Sequence, residues 1–206
     1  MSDLALRYPV KQAIVVQPFA NDPAYYARFK DDFGNPEKGH MGIDLRAWHG
    51  QPVYAACDGM ASFQRDAHGG EGMYIRTDYR FYKGLLARFN VINWHLIGDT
   101  DSHFPSPIPT DGKQYPVKCG DLIGYADNTG APYESSGDHL HFGLQPLDQY
   151  NTIIEQRNGF NGCIDPTPFF DGTYAQDTSR DLGYIAGLLK VAWQLFKARF
   201  GSAITS

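Results

Sequence analysis

A pair of histidines past the middle of the chain gives the first indication of chemistry. The stretch from Gly137 to Leu144 reads Gly-Asp-His-Leu-His-Phe-Gly-Leu, so apolar residues alternate with His139 and His141. This alternation is typical of a strand with one buried face, and it places both imidazoles side by side on the other face. Imidazole binds transition metals and carries protons near neutral pH. Two histidines do not complete a zinc site, which needs three or four ligands, so a half-exposed surface pair is the alternative.

A histidine and an aspartate lie earlier in the chain, in the motif Gly-His-Met-Gly-Ile-Asp-Leu. His40 and Asp44 are four residues apart, but Gly39 and Gly42 between and beside them disfavour a helix. We predict a turn that enters a strand, with Asp44 pointing away from the core toward the side that His40 faces. A single His-x-x-x-Asp motif does not by itself identify a metal site.

The remaining histidines give weaker signals. His95 ends a strand-like pattern over 89–97, and on that pattern alone a structural role is the simpler interpretation. His49, His68 and His103 lie in segments rich in glycine, proline and aspartate, and we predict that they are surface residues without a chemical role.

Composition excludes several classes of function. The formal net charge is -5 and the isoelectric point is about 5.7, which argues against a general nucleic-acid binder and against a polybasic membrane anchor. No apolar run has the length of a membrane span. The start of the chain lacks the basic and apolar regions of a secretory signal. The three cysteines form no Cys-x-x-Cys pair, so a cysteine-based zinc site is not indicated.

The body of the chain reads as short strands separated by Gly/Asp turns. This pattern favours a mainly β fold, with an antiparallel sheet or sandwich-like core. Within it, residues 51–63 read as strand, Asp-Gly turn and strand. We predict a helical turn over residues 24–29. The connection over residues 80–88 is longer than a tight hairpin needs, and for this segment we predict an excursion over the surface.

The composition changes after Phe170. Residues 171–180 are polar and linker-like, and residues 181–200 carry apolar side chains at three- and four-residue steps, which predicts an amphipathic helix. We therefore expect one domain over 1–172, and a linker with a C-terminal helix over 173–206. The helix could pack on its own domain, on a copy of the chain, on a larger assembly or on a membrane surface.

Taken together, the motifs resemble the lysostaphin/LytM-type zinc metalloendopeptidases. The blocks that match are Gly-His-Met-Gly-Ile-Asp-Leu, Pro-Val-Tyr-Ala-Ala-Cys-Asp-Gly, Trp-His-Leu, Gly-Asp-Leu-Ile-Gly and His-Leu-His-Phe, in that order over residues 38–144. The resemblance implies an antiparallel sheet with a groove, one bound zinc ion and cleavage of peptide bonds in peptidoglycan. Carried over by position, it implies that His40, Asp44 and His141 are the zinc ligands and that His95 and His139 are the catalytic histidines.

That ligand set suits hydrolysis. Two neutral imidazoles and one carboxylate leave zinc a position for water, whose pKa zinc can bring down to about 7. The chain has no His-Glu-x-x-His motif, so the histidines are the candidates for proton transfer, and the sequence does not decide which of them is the base.

Some features depart from the family pattern. Asn93 stands where the family commonly has tyrosine, Trp94 replaces a usual small residue, and no separate wall-targeting domain is visible. Because no signal peptide is evident, we expect a phage-like enzyme that reaches the periplasm or the cell exterior on lysis or in a particle. Two alternatives stay open, namely a non-catalytic assembly or regulatory module on the same fold and a peptidase for a non-wall peptide.

Overall fold

The computed structural model describes residues 4–99 and 101–175. Among these residues it has twelve strands, one short α-helix and one 3-10 turn. The strands are β1 (Leu6–Tyr8), β2 (Val15–Gln17), β3 (Ile43–Arg46), β4 (Pro52–Tyr54), β5 (Gly59–Arg65), β6 (Glu71–Arg76), β7 (Arg80–Tyr82), β8 (Leu85–Trp94), β9 (Tyr115–Val117), β10 (Leu122–Tyr125), β11 (His139–Leu147) and β12 (Phe170–Tyr174). The helix is α1 (Pro23–Tyr26), and the 3-10 turn spans Thr167–Phe169.

One antiparallel sheet forms the centre of the fold. Its strand order is β2-β3-β11-β8-β6-β5-β9, and β7 pairs with the start of β8. Two small pairs accompany it, β1 with β12 in parallel and β4 with β10 antiparallel. The prediction of a mainly β fold with an antiparallel sheet is therefore confirmed.

The long strands β8 and β11 lie side by side at the middle of this sheet. They pair from His141 opposite Trp94 to Leu147 opposite Arg88. On β11 the side chains of Leu140, Phe142 and Leu144 are fully buried, as their alternation with the histidines predicted. Burying an apolar side chain of this size contributes about 1.5–3 kcal/mol, so this face fixes the register of β11 and with it the direction of both histidines.

One local prediction was wrong. Residues 80–88 are not an excursion, because β7 and β8 form a tight hairpin around Lys83 and Gly84, which both have positive φ angles of 50° and 78°. That backbone suits the two-residue turn of a hairpin. The strands within 51–63 both exist, but β4 pairs with β10 while β5 pairs with β6 and β9, so the Asp-Gly turn does not close a hairpin.

The helical turn predicted near residues 24–29 occurs slightly earlier, as α1. Asp22 caps it by accepting a hydrogen bond from the Tyr25 amide, and Pro23 occupies its first position. The C-terminal helix predicted over 181–200 lies outside the described residues. Within the described ranges, no helix has both the length and the apolar character that crossing a bilayer requires.

Candidate metal centre

The register of three strands brings the first two candidate ligands together. His141 on β11 lies opposite Asp44 on β3 and opposite Trp94 on β8. Directly paired residues point to the same face of a sheet, with Cβ atoms about 5 Å apart. The carboxylate of Asp44 therefore reaches the ring of His141, and its Oδ1 lies 3.2 Å from Nδ1.

His40 reaches the same place from the turn before β3. Its backbone is held by Ala20, whose amide donates to the His40 carbonyl at 2.8 Å, and by Asn21, whose carbonyl accepts from the His40 amide at 3.0 Å. On the ring, Nδ1 lies 3.4 Å from the carbonyl oxygen of Pro18. A neutral ring that donates from Nδ1 presents an unprotonated Nε2 to Asp44 and His141.

Three donor atoms thus converge from three residues. His40 Nε2 lies 2.9 Å from His141 Nδ1, and the two nitrogens lie 3.2 Å from Asp44 Oδ1. The edge of a tetrahedral zinc site with nitrogen and oxygen ligands is roughly 3.4 Å, so this triangle is close to the required size. Among residues 4–99 and 101–175, this His-Asp-His group is the one set of side chains arranged to hold a metal ion.

The chemistry of the donor set fits zinc. Two imidazoles and one carboxylate are ligands that zinc accepts, and three ligands leave one position of a tetrahedron open. His40 and Asp44 are only 4% and 7% exposed, so their ligand atoms are largely withdrawn from water. A divalent cation between them could accept a lone pair from each of the three donor atoms.

Electrostatics keeps the carboxylate of Asp44 ionised. Burial tends to raise the pKa of Asp44, but the adjacent rings of His141 and His40 outweigh it and hold the pKa far below its ordinary value. Burial lowers the pKa of His141, although the hydrogen bond to Asp44 opposes that change. The group therefore combines an ionised carboxylate with a His141 ring whose neutral form is favoured, and metal binding requires deprotonated ligands of this kind.

The two other predicted histidines lie beside this group. The ring centroids of His95 and His139 are 4.5 Å apart, and the ring of His95 is 6.2 Å from that of His141. His139 Nε2 lies 3.5 Å from Asp44 Oδ1. All five residues named from the sequence are thus collected on one face of the main sheet.

Backbone carbonyls hold both of these histidines by the same ring atom. His95 Nδ1 lies 2.6 Å from the carbonyl oxygen of Thr129, and His139 Nδ1 lies 2.8 Å from that of Gly137. A neutral ring that donates from Nδ1 has an acceptor at Nε2. Burial, followed by the nearby charges of His141 and His139, lowers the pKa of His95 to about 3, so that its ring is neutral at pH 7.

The backbone at His95 explains why its side chain reaches this face. In a regular strand, His95 would point to the opposite face from Trp94, into the core. Instead, β8 ends at Trp94, and His95 has a φ of 62°, in the left-handed region that non-glycine residues seldom adopt. This change of direction turns the ring of His95 toward His139.

The other histidines remain outside this group. His49 pairs with Asp127 through Nδ1 at 2.8 Å, and His103 pairs with Asp101 at 2.9 Å, both on exposed loops. His68 contacts the ring of Tyr133 at 5.6 Å. Their placement agrees with the prediction that they are surface residues.

Two further residues border the site without a clear sequence signal. The ring of Tyr26 lies 5.9 Å from that of His40, and burial together with the charge of Asp44 raises the pKa of the Tyr26 hydroxyl to about 12. Thr129 provides the carbonyl that holds His95, a contact that no residue type encodes because every residue has a carbonyl group.

One cavity among the described residues lies away from this group, at the other end of β8. It has a volume of about 790 Å³ and is lined by Leu85, Leu86 and the loop over residues 148–158. The acidic residues in its lining have structural partners, since Asp148 accepts from backbone amides of its own loop and Glu155 pairs with Lys83 at 2.7 Å. The arrangement of metal-ligating side chains, and not this cavity, marks the candidate site.

Comparisons with known proteins give similarities of fold. The sequence matches no family model and no curated protein. Among solved structures, the chain is similar to LytU, with 22% identity over 82% of this chain and 86% of that one, at a TM-score of 0.44. It is similar to the catalytic domain of the antimicrobial peptidase lysostaphin from Staphylococcus simulans, with 22% identity over 74% of this chain and 98% of that one, at a TM-score of 0.44.

A zinc-containing peptidase from Vibrio cholerae is similar as well, with 20% identity over 74% of this chain, at a TM-score of 0.46. The chain spans only 39% of the length of that protein. These similarities concern the fold, and the chemistry of the site is read from the residues of this chain.

Proposed function

We propose that this chain is a zinc-dependent endopeptidase that hydrolyses peptide bonds of peptidoglycan. The observation that carries the proposal is the triangle of His40 Nε2, Asp44 Oδ1 and His141 Nδ1, with sides of 2.9 to 3.2 Å, next to two further histidines on the same face. A non-catalytic module could bind a partner through its surface alone and would not require a metal-binding triangle beside two further histidines. The wall peptide as substrate follows from the resemblance of the motif blocks over residues 38–144.

The ligand residues set the charge of the proposed centre. His40 and His141 contribute neutral nitrogens, and Asp44 contributes one negative charge, so a bound divalent ion retains a net positive charge. When bound, zinc supplies a Lewis acid that polarises a carbonyl group and lowers the pKa of water to about 7. The pairing of β3 with β11 supports the proposal, because it holds Asp44 and His141 opposite each other without a metal ion.

The two other histidines handle protons. His95 and His139 each present Nε2 to the same region, because backbone carbonyls occupy their Nδ1 protons. A neutral imidazole at this position can take a proton from water during attack on the scissile carbonyl and return it to the leaving amine. In its protonated form the same ring can donate a hydrogen bond to the developing oxyanion. The distance of 3.5 Å between His139 Nε2 and Asp44 Oδ1 supports this role for His139, and the ring of His95 lies 4.5 Å from that of His139.

The proposal extends to the place of action. A substrate in the cell wall requires a periplasmic or extracellular site of action, which a phage-like enzyme reaches on lysis or in the particle. The peptide bond that is cut depends on contacts to the substrate on either side of the histidines.

Release of new amino termini from purified peptidoglycan tests this function. The full chain loaded with zinc should release them, whereas a chelated sample and His139→Ala should not. Stoichiometric zinc without release from several wall chemotypes would redirect the proposal to another peptide substrate. A protein that neither binds zinc nor releases amino termini would contradict the proposal and favour a non-catalytic module.

A further inference from the structure

The loop that precedes β11 forms hydrogen bonds with both the backbone and the ring of His95. The amide of Asp127 donates to the His95 carbonyl at 2.7 Å, and the carbonyl of Thr129 accepts from His95 Nδ1 at 2.6 Å. Asp127 and Thr129 are only two residues apart, at the start of the turn that follows β10. The backbone and the ring of His95 are therefore fixed by one short piece of chain.

The hydroxyl group of Thr129 anchors that piece of chain. Its Oγ1 accepts a hydrogen bond from the amide of Glu71 at 3.2 Å and donates to the carbonyl of Leu96 at 3.2 Å. Glu71 begins β6, and Leu96 directly follows His95. In addition, the amide of Leu96 donates to the carbonyl of Glu71 at 2.9 Å. The hydroxyl thus joins three segments at the point where β8 ends, and it determines where the Thr129 carbonyl lies.

His95 depends on this anchor more than a residue inside a strand would. It lies beyond the end of β8 with a φ of 62°, so the sheet does not fix its direction. Its ring has one proton when neutral, and the acceptor at Nδ1 decides which nitrogen bears it. If the proton moved to Nε2, that nitrogen would change from an acceptor to a donor, and it could no longer take a proton from water.

His139 provides an internal comparison. Its Nδ1 donates to the carbonyl of Gly137 at 2.8 Å, and the hydroxyl of Ser135 donates to that same carbonyl at 3.0 Å. His139 also lies within β11, where strand pairing already fixes its backbone. The backbone of His95, in contrast, is not fixed by a strand. The hydrogen bonds of the Thr129 hydroxyl fix the position of the carbonyl that holds its ring.

We propose that Thr129 is a positioning residue for His95, whose hydroxyl holds the Thr129 carbonyl where it keeps the ring proton on Nδ1 and leaves Nε2 as the acceptor. The catalytic meaning of this contact rests on the proposed peptidase function, but the contact itself belongs to the protein without metal. Thr129→Val removes the hydroxyl while keeping the shape of the side chain, and Thr129→Ser keeps the hydroxyl.

Nitrogen-15 NMR of the histidine rings in the full chain, without zinc at pH 7, is the primary test. In the wild type, His95 should show a protonated Nδ1 and an unprotonated Nε2. Thr129→Val should shift His95 toward the other tautomer, and Thr129→Ser should retain the wild-type pattern. His139, held by Gly137, should be unchanged in both variants and serves as the control.

The results distinguish a failure of the proposed role of Thr129 from a failure of the proposed peptidase function. A wild-type His95 that carries its proton on Nε2 overturns the proposal without recourse to any variant, and so does an unchanged tautomer in a folded Thr129→Val protein. On peptide substrate, Thr129→Val should lower kcat about 10- to 100-fold with KM unchanged, and Thr129→Ser should restore it. If the wild type shows the expected tautomer but hydrolyses no peptide, the proposed function fails and the positioning contact stands.

Discussion

Gly42 lies directly against the ring of His141. A methyl group at Gly42 would be 2.8 Å from Nε2 of that ring and 2.6 Å from the carbonyl oxygen of Phe142. The glycine that first argued against a helix around His40 is therefore required for a packing reason. Only a residue without a side chain allows β3 to approach β11 closely enough for Asp44 to meet His141.

Gly42→Ala should weaken zinc binding at least tenfold, because the added methyl group displaces either the His141 ring or the backbone of β11. It should also lower the free energy of unfolding by about 1–3 kcal/mol, as overpacking of this kind does. Isothermal titration with zinc and denaturant unfolding measure the two effects. Gly137→Ala is the matched control, since a methyl group there would meet no atom within 4 Å. Equal zinc affinity in both variants would contradict the role given to Gly42.

Zinc should stabilise the wild type through Asp44. At a free zinc concentration 100 times the Kd, binding to the folded state alone adds about 2.7 kcal/mol to the free energy of unfolding. Asp44→Asn should abolish this gain, because it removes the one negative charge among the three ligand atoms. Thermal unfolding with and without zinc measures the difference. Asp171→Asn is the control: it changes an exposed carboxylate of β12 and should keep the full zinc-dependent gain. A gain that survives in Asp44→Asn would exclude Asp44 as a ligand.

Much of the fold was predictable because the apolar residues follow simple periods. The strand over His139 to Leu144 was predicted from its alternation, and its apolar residues are fully buried in the structure. The pairing of strands was harder to predict. The Asp-Gly turn within 51–63 joins strands that pair with different partners, since pairing depends on long-range packing that a local turn signal does not contain.

The position of His95 shows the corresponding limit for the site. Its pattern predicted a strand residue, whereas the chain leaves the strand at Trp94 and adopts a left-handed backbone at His95. Neither that change nor the carbonyl of Thr129 that receives the ring proton has a signature in residue types, because both are properties of the backbone. The resemblance of the Trp-His-Leu block to a family pointed to His95 where periodicity alone did not.

His95→Ala and His139→Ala should separate metal binding from hydrolysis. Neither ring is part of the donor triangle, so both variants should bind zinc with an affinity within a few-fold of the wild type. Peptide hydrolysis should fall at least 100-fold in each, since general acid–base catalysis contributes about 10²–10⁴-fold. Zinc titration and release of amino termini measure the two properties.

His103→Ala is the control for this pair. Its side chain is 86% exposed on a loop, so its removal should leave both zinc binding and hydrolysis unchanged. Loss of zinc in His95→Ala would instead make His95 a ligand and would contradict its role in proton transfer.

A carboxyl pair near Trp94 should make stability depend on pH. Glu134 and Asp66 share a hydrogen bond beside Gly70, and the indole of Trp94 lies 3.4 Å from Glu134 Oε2. Burial, followed by the hydrogen bond and charge of Asp66, raises the pKa of Glu134 from 4.5 to about 7. The folded state therefore binds this proton more tightly than the unfolded state does.

Because the folded state has the higher affinity for this proton, the free energy of unfolding should decrease as the pH rises. Stabilisation from protonated Glu134 is present in full below pH 4.5 and is lost as the pH rises through about 7. Glu134→Gln imitates the protonated form at every pH, so the wild type should lose stability relative to this variant between those two values. Urea unfolding of both proteins across this range measures the difference. Glu155→Gln is the control, because the Glu155 carboxylate pairs with Lys83 and has a lowered pKa; this variant should follow the pH profile of the wild type. Parallel stability profiles for the wild type and Glu134→Gln would show that the pKa of Glu134 is not raised.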